Sequence, residues 1–345
     1  MRRVIVALAV LVALSACVSV PAPAATPVPS KPALKHLVVG MPVTPPNLPH
    51  VGVYLARDLG YFTDEGLDVE IKSFESGVQV LRAGISGGLD VVGSSSEPVA
   101  AAIAQGANIK IIYSYAHALT VSLVVQADIK TPADLRGKNM GIQDVGAFRE
   151  MMSRVVLKQA GLTQQDVHYI PLASAGYIQG LISGQIDTAV LHVDQALNVE
   201  QRQPGLHQLV NFWELLPTYL YGTFLMSTDR LRQDPSTATS FVKAVMRAHR
   251  FMYANRARTI ELAAQETNVS PDVLGKAYDQ LTVAGVFPVN DGLPAASLDG
   301  TLKVLHELGA LDSSQNVTPD QLVDRGPADA AVNALGLMTG DPRWK

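Results

Sequence analysis

Cysteine is almost absent from this sequence: of 345 residues only Cys17 carries a thiol. A single cysteine excludes an intramolecular disulfide. Long apolar runs are also missing, since the continuous stretch at residues 4–14 is shorter than the roughly 20 residues of a membrane-spanning helix. Neither sign of charge dominates, because 27 lysines and arginines face 31 aspartates and glutamates, for a formal net charge of −4. This balance excludes the strongly basic surface of a nucleic-acid-binding protein.

Motifs of common catalytic sites are missing as well. A nucleophile elbow in its strand–turn–helix context, a phosphate-binding loop and histidines at metal-ligand spacing are not found. The glycine-rich GISGG of residues 84–88 follows a predicted helix, whereas a dinucleotide-binding fingerprint follows a strand. The sequence therefore predicts a protein without catalytic residues, metal ligands or a cofactor.

The N-terminal segment has the pattern of an export signal. Arg2 and Arg3 precede the apolar residues 4–14, and LSAC follows at residues 14–17. LSAC resembles the bacterial lipobox, in which the cysteine is acylated, so residues 1–17 are predicted to be a lipoprotein signal peptide with lipidation at Cys17. An ordinary cleaved signal is the alternative. Residues 18–36, rich in proline and alanine, are predicted to form a semi-rigid tether, which places the protein in the cell envelope on a lipid anchor.

The remainder, about 310 residues from Leu37 onward, is longer than a single hydrophobic core usually allows. With 48% apolar and 17% charged residues the sequence is typical of globular domains. Short runs rich in β-branched residues, such as LVVGMPV at 37–43 and LDVEIKS at 67–73, alternate with amphipathic helical patterns. This alternation predicts an α/β fold with two domains, each a mainly parallel sheet flanked by helices.

One short pattern occurs twice. ISGGLDVVG at residues 85–93 returns as ISGQIDTAV at residues 182–190, and 182 − 85 gives an offset of 97 residues. Each copy predicts a helix, a glycine turn, a short strand, a polar loop and a second helix. Loops at the carboxyl ends of parallel strands share one edge of a sheet, so two such units predict opposite walls of a ligand cleft. Asp90 and Asp187 precede that edge and are predicted to be structural, as caps of the glycine turns.

Four segments occur in the order found in one family: GYFTDEGLDVE (60–70), GGLDVVGSSSEP (87–98), TPADLRGKNMGI (131–142) and ISGQIDTAVL (182–191). Behind a lipobox, they resemble the substrate-binding proteins of ABC importers for nitrate, sulfonates, taurine and thiamine pyrimidine precursors. The resemblance covers residues 37–308. It implies the two-lobed periplasmic-binding-protein fold, with residues 37–124 and 226–345 in lobe one and residues 125–225 in lobe two. Two hinge crossings are expected near residues 122–125 and 224–227.

The resemblance also implies a function. A lipid-anchored, monomeric protein would close its lobes over a small molecule and deliver it to an ABC permease and its ATPase. Two other functions remain open, namely an enzyme of thiamine-precursor synthesis on the same fold and a ligand sensor for a membrane receptor. An enzyme would require a cysteine-rich or histidine-rich active segment and no export signal, whereas the one cysteine here is assigned to the lipobox.

Four loops and two aromatic segments are candidate contacts for the ligand, because a binding site needs a few convergent polar groups in an apolar cleft. The loops are residues 44–50, 94–97, 144–149 and 192–195, and three of them run into helix N-termini. Tyrosines near the two crossings would stack on a flat ligand. The predicted ligand-binding residues are Thr44, Asn47, Ser95, Ser96, Glu97, Tyr113, Tyr115, His117, Gly146, Phe148, His192, Asp194 and Tyr221.

The charges in these loops set a preference among ligands. Glu97, if it faces the cleft, would repel an anion and accept a hydrogen bond from an amine or a pyrimidine N–H. Arg149 is the one basic residue of the four loops and would pair with an acidic group, although helix arginines are more often solvated. Helix capping and core packing are the alternative roles of the same side chains. We expect a planar, nitrogen-containing or aromatic ligand, with sulfonate, taurine or nitrate as the alternative.

Overall fold

The computed structural model describes residues 33–312, 314–315 and 317–344. The predicted signal peptide, the lipidation site Cys17 and residues 18–32 of the predicted tether lie outside these residues. From Leu34 onward the chain forms one compact unit. In this part of the chain no helix combines the length and the apolar character that a membrane crossing requires.

The described residues alternate strands and helices, as the sequence predicts. The strands are β1 Lys35–Met41, β2 Leu67–Ser73, β3 Val91–Ser95, β4 Ile109–Ala116, β5 Val121–Val125, β6 Asn139–Ile142, β7 His168–Pro171, β8 Thr188–His192, β9 His207–Asn211 and β10 Gly222–Ser227. The helices up to the second crossing are α1 Val51–Asp58, α2 Tyr61–Asp64, α3 Gly77–Ile85, α4 Ser96–Ala104, α5 Phe148–Gln159, α6 Gly176–Ser183, α7 Val193–Arg202 and α8 Phe212–Leu215. The later helices are α9 Thr228–Gln233, α10 Pro235–Ala254, α11 Arg256–Thr267, α12 Pro271–Val283, α13 Ala295–Glu307, α14 Pro319–Leu322 and α15 Gly326–Leu335. Short 3₁₀ helices occur at Leu48–His50, Pro132–Leu135 and Gln164–Asp166.

The strands form two five-stranded sheets with the same plan. The order is β2-β1-β3-β10-β4 in the first sheet and β7-β6-β8-β5-β9 in the second. In each sheet one strand, β10 or β5, runs antiparallel to both of its neighbours, and the remaining pairs are parallel. We call each sheet with its helices a lobe. This arrangement confirms the predicted α/β fold of the periplasmic-binding-protein type.

Central strands of both sheets are buried on both faces. All five residues of β3 and all five residues of β8 are buried, which is the pattern of a parallel sheet covered by helices. Helix α5 covers the second sheet with the apolar stripe that the sequence predicts, since Phe148, Met151, Met152, Val155 and Val156 are all buried.

The repeated sequence pattern corresponds to equivalent structural units in the two sheets. Strand β3 begins at Val91 and β8 at Thr188, and 188 − 91 reproduces the offset of 97 residues. Asp90 Oδ2 accepts a hydrogen bond from the amide of Val38 at 2.7 Å, and Asp187 Oδ2 accepts one from the amide of Asn139 at 2.7 Å. The two aspartates are therefore structural, but they bind the neighbouring strands β1 and β6 rather than cap the glycine turns.

The chain passes between the sheets slightly earlier than the sequence predicts. It leaves the first sheet after Ala116 and enters the second at Val121, and it returns between Asn211 and Gly222. Residues 122–125 and 224–227, expected as the crossings, lie inside strands β5 and β10. An apolar run predicts a strand, but it does not show which sheet the strand joins. The assignment of residues 37–124 and 226–345 to one lobe and 125–225 to the other stays a prediction.

Candidate functional site

The two crossings meet the N-termini of two equivalent helices. The amide of Ser96, at the start of α4, donates to the carbonyl of Tyr221 at 3.0 Å. The amide of Val193, at the start of α7, donates to the carbonyl of Thr120 at 3.0 Å. Each crossing thus accepts a hydrogen bond from a backbone amide at a helix N-terminus, where amides have no partner within the helix. Capping by a serine hydroxyl, the alternative role, does not occur at α4, because the N-cap Ser95 makes no side-chain capping bond and the hydroxyl of Ser96 donates to the carbonyl of Leu220 at 2.6 Å.

Aromatic rings from both lobes converge next to these crossings. The rings of Phe148 and Tyr221 have centroids 4.4 Å apart, and those of His50 and Tyr115 are 5.1 Å apart. His192 lies 5.3 Å from His50 and 5.4 Å from Tyr221 by the same measure. His50 comes from the loop before α1, Tyr115 from β4, and Phe148 and His192 from the second lobe. The cluster therefore forms an aromatic wall shared by the two lobes.

A hydrogen-bond chain runs through this wall from one lobe to the other. The hydroxyl of Tyr221 lies 3.1 Å from Nε2 of His50 and 3.1 Å from Nε2 of His192. Nδ1 of His192 lies 2.9 Å from Oγ1 of Thr120. The chain links a first-lobe histidine, both crossings and a second-lobe histidine, so its geometry depends on the position of the lobes.

Both histidines of the chain are held in the neutral form. Burial, with the nearby Arg149 guanidinium as a second cause, lowers the pKa of His50 to about 3. The same two causes, in the same order, hold the pKa of His192 well below its usual value. Burial also raises the pKa of Tyr221 and of Tyr115, which keeps both phenols protonated. The aromatic wall is thus uncharged at neutral pH.

Arg149 supplies the positive charge of the site. Its side chain is only 2% exposed, and its guanidinium donates to the carbonyl of Val190 and, at 2.9 Å, to Oε1 of Gln195. The guanidinium also lies 4.5 Å from the centroid of the Tyr177 ring. Burial lowers the pKa of Arg149, yet the guanidinium is so strongly basic that it stays protonated at neutral pH. Arg149 is therefore a buried cation held in place by neutral groups.

Asn47 and Asp194 meet across the interface between the lobes. Both side chains are buried, and Asp194 Oδ2 accepts a hydrogen bond from the amide of Leu48 at 3.3 Å. Burial raises the pKa of the Asp194 carboxyl to about 6. Oδ1 of Asn47 and Oδ1 of Asp194 have no hydrogen-bond partner among the described residues. The N-cap of α7 is His192, so Asp194 is not the simple cap that was the alternative for it.

Glu97 lies behind the wall rather than in it. Its side chain is 3% exposed and its Oε1 accepts a 2.5 Å hydrogen bond from the hydroxyl of Tyr219. Burial raises the pKa of Glu97. The carboxyl is thus turned toward the second crossing.

Polar contacts join the lobes at the mouth of the cleft. The hydroxyl of Ser76, which also caps α3, donates to the carboxylate of Asp144. The side-chain amide of Gln143 donates to the carbonyl of Glu75 at 2.7 Å, and the carboxylate of Glu75 accepts from the amide of Ser174 at 3.2 Å. These bonds hold α3 of the first lobe against loops of the second.

The cavity inside this closure is small. Its volume is about 290 Å³, and its walls approach so closely that the space holds little more than a single water molecule. The lobes are therefore closed on one another, and a ligand of ordinary size enters only when they separate. The lining residues are Pro42, Val43, His50, Gly77, Ser95, Tyr115, Gln143, Phe148, Arg149, His192 and Tyr221.

The structure brings part of the predicted site together. The predicted residues that line the cavity are Ser95, Tyr115, Phe148, His192 and Tyr221. Asn47, Glu97 and Asp194 are buried beside it. The predicted residues that do not line it are Thr44, Ser96, Tyr113, His117 and Gly146.

Specific contacts explain the positions of the residues outside the cavity. The hydroxyl of Tyr113 donates to the carbonyl of Pro288 at 2.6 Å, so this tyrosine packs against the C-terminal part of the chain. The backbone of His117 donates to the carbonyl of Val286 at 3.1 Å, which places it on the same side. Gly146 donates its amide to Glu150 at 3.0 Å in the loop before α5, and Thr44 is half-buried in the loop after β1.

Three polar lining residues are absent from the predicted set. His50 lies at the end of the proline-rich loop 44–50, where only Thr44 and Asn47 were selected. Gln143 directly follows β6, at the sheet edge where ligand loops are expected. Arg149 is not predicted from the sequence because most helix arginines are solvated, and its burial depends on the distant residues Val190 and Gln195. The described residues contain no cluster of three or more histidine, cysteine, aspartate or glutamate side chains that could hold a metal ion.

Solved structures of other proteins share this fold over most of the chain. A protein of Bordetella bronchiseptica RB50 superposes with a TM-score of 0.76 at 22% identity, covering 87% of this chain and 98% of that one. SsuA of Xanthomonas axonopodis pv. citri, an alkanesulfonate-binding protein solved with MOPS, gives 0.65 at 21% identity, with 87% and 98% covered. The nitrate-binding protein NrtA of Synechocystis PCC 6803 gives 0.73 at 14% identity, with 88% and 90% covered. At these identities the likeness shows the fold.

Sequence relatives point to a family. A Brucella abortus protein that is provisionally named a binding protein is 23% identical over 212 residues, 61% of this chain and 66% of that protein. The formylaminopyrimidine-binding protein of Halalkalibacterium halodurans is 21% identical over 215 residues, 61% of this chain and 64% of the relative. The matches thus span slightly less than two thirds of either relative. The family model described as NMT1/THI5 like matches residues 47–258, more than half of the sequence. The chain belongs to the NMT1/THI5-like family.

Proposed function

We propose that this protein is the substrate-binding component of an ABC importer, which captures a small planar molecule between its lobes and delivers it to a membrane permease. The observation that carries the proposal is the cavity at the crossings, walled by aromatic rings from both lobes and closed by hydrogen bonds between them. A ligand that contacts both walls favours the closed form over the open form by the free energy of those contacts.

The relatives support binding as the function. The names of SsuA, NrtA and the formylaminopyrimidine-binding protein describe them as binding proteins for small molecules. Their ligands range from anions to a pyrimidine, so they do not select one ligand for this chain. The proposal includes the predicted lipid anchor at Cys17, the monomeric state and the absence of catalysis. Genes for a permease and an ATPase beside this gene would favour import over the alternative of a ligand sensor.

Thermal unfolding of the full-length protein against two panels of molecules tests the binding. One panel holds nitrate, taurine and alkanesulfonates, and the other holds aminopyrimidines and aromatic carboxylates. A ligand at a hundred times its Kd stabilises the native state by about 2.7 kcal/mol, which raises Tm measurably. Small-angle X-ray scattering should then show a smaller radius of gyration with the ligand than without it. Stabilisation without compaction would contradict closure, and conversion of the ligand to a product would contradict a pure binding role.

A further inference from the structure

Arg149 has more hydrogen-bond donors than the protein satisfies. A guanidinium carries five N–H groups. One nitrogen donates to the carbonyl of Val190 and another to Oε1 of Gln195, while one face lies over the ring of Tyr177. The remaining N–H groups have no acceptor among the described residues. The side chain lines the cavity and is only 2% exposed, so water does not fully replace the missing acceptors.

The positive charge of Arg149 also lacks a carboxylate in direct contact. No carboxylate oxygen in the described part of the chain lies within 4.0 Å of its nitrogens. Asp194 of α7 attracts the guanidinium without contacting it, and its Oδ2 is bound to the amide of Leu48. Oε1 of Glu97, in the first lobe, is bound to the hydroxyl of Tyr219. His50, His192 and the phenols around the cavity are neutral. A buried charge without a counter-ion is costly, so closure of the lobes favours an anion in the cavity.

Two more polar atoms of the wall lack partners. Oγ of Ser95 and the hydroxyl of Tyr115 are buried and form no hydrogen bond within 3.5 Å among the described residues, although Ser95 lies beside Glu97 and Tyr115 beside Tyr221. Both are able to donate a hydrogen bond. Together with Arg149 they offer acceptor oxygens a set of donors, while Phe148 and Tyr221 offer flat apolar surface.

We infer that Arg149 anchors an acidic group of the ligand, and that the site selects a small planar acid, an aromatic or heteroaromatic carboxylate or sulfonate, over neutral and cationic molecules of the same shape. This inference rests on the proposed function, since it assigns the ligand class of the same cavity. It departs from the sequence-based preference for a nitrogen-rich neutral ligand, because that preference placed Glu97 in the cleft.

Matched pairs of small molecules test the charge preference in the full-length protein. The probes are benzoate with benzamide, nicotinate with nicotinamide, and benzenesulfonate with benzenesulfonamide. We expect at least one acid to raise Tm and to bind at least about tenfold more tightly than its amide, because the amide leaves the guanidinium without a counter-ion. Equal binding of acid and amide, or binding of the amide alone, would overturn the inference while leaving the proposed capture function intact.

A substitution gives a second readout that does not need the true ligand. Arg149→Met keeps a long apolar side chain and removes the charge, so without ligand its Tm should equal or exceed that of the natural protein, while stabilisation by the acids disappears. Arg202→Met, at the exposed end of α7, is the matched control and should keep the response to acids. An Arg149→Met variant that keeps the response of the natural protein to acids would show that the arginine is structural and would overturn the inference. A natural protein that responds to none of the acids would overturn it as well. Acid binding that depends on Arg149 but does not compact the protein would instead count against the proposed function.

Discussion

Tyr221 has one hydroxyl proton for two histidine acceptors. Its oxygen lies 3.1 Å from Nε2 of both His50 and His192, and both rings are neutral. The rings must therefore differ in tautomer, with one Nε2 accepting the tyrosine proton and the other donating its own to the tyrosine oxygen. Oγ1 of Thr120, 2.9 Å from Nδ1 of His192, is able to donate to this nitrogen or to accept from it, so the contact fits either tautomer of His192.

Tyr221→Phe tests this hydrogen-bond chain by removing only the hydroxyl group that joins the two histidines. The substitution leaves two buried ring nitrogens without a partner, so we expect the free energy of unfolding to fall by about 1–3 kcal/mol. Denaturant unfolding of both proteins measures the difference. Tyr61→Phe on α2 is the control, because its hydroxyl has no side-chain hydrogen bond in the described structure, and it should change stability by less than about 0.5 kcal/mol. Equal stability of Tyr221→Phe and the natural protein would show that the hydrogen bonds of Tyr221 to the two histidines do not stabilise the fold.

The start of β10 determines where the ring of Tyr115 lies. β10 runs antiparallel between β3 and β4, and Gly222 at its first position pairs with Ala116 of β4. A Cβ atom at Gly222 would lie 2.0, 2.4 and 2.5 Å from three ring carbons of Tyr115. Only glycine leaves room for the ring to pack over the strand and reach the cavity.

Gly222→Ala should therefore displace the tyrosine ring. We expect a loss of about 1–3 kcal/mol in the free energy of unfolding, since the new methyl group overpacks a buried site. Ligand affinity should fall as well, because Tyr115 is part of the aromatic wall. Gly176→Ala at the start of α6 is the matched control: its added Cβ would meet Leu172 only at 3.8 Å, and we expect a change below about 0.5 kcal/mol. Unfolding curves in which both variants behave alike would contradict the steric argument.

The stability of the whole molecule is linked to pH through the buried histidines. Between a folded pKa of about 3 and the ordinary value of 6.5, the unfolded chain binds a proton at His50 that the native protein does not bind. The free energy of unfolding therefore rises with pH across that window, by up to about 1.4 kcal/mol per pH unit for each such histidine. Asp194 acts in the opposite direction, because burial raises its pKa to about 6 and its stabilising effect is lost as pH rises through that value.

His50→Gln tests this linkage. Between about pH 4 and pH 6 (about 2.5 to 0.5 units below the ordinary histidine pKa), the variant should show a smaller rise in the free energy of unfolding than the natural protein. Denaturant titrations at a series of pH values give the two slopes. His168→Gln at the exposed end of β7 should leave the slope unchanged. The same slope in His50→Gln and the natural protein would show that His50 is not neutral in the native state.

Local patterns in the sequence determined the fold class and its internal symmetry. The strand Leu67–Ser73 appears with the predicted bounds, and the stripe along α5 is buried as expected, because alternation and helical periodicity are properties of neighbouring residues. The repeat at an offset of 97 residues likewise identified equivalent units of two sheets. Loops at sheet edges predicted Ser95, Phe148 and His192, and the aromatic segments near the crossings predicted Tyr115 and Tyr221, and all five line the cavity.

Only the tertiary structure decided which way the charged side chains turn. Glu97 is drawn to Tyr219, 122 residues away, and Arg149 is held at Val190 and Gln195, 41 and 46 residues away. His50 enters the wall through Tyr221, 171 residues along the chain. Composition and periodicity do not predict such pairings, because the orientation of a side chain depends on the partners that folding places next to it. The sequence by itself determined a two-sheet molecule with a cleft, and long-range packing decided that the cleft holds a buried cation among neutral aromatic rings.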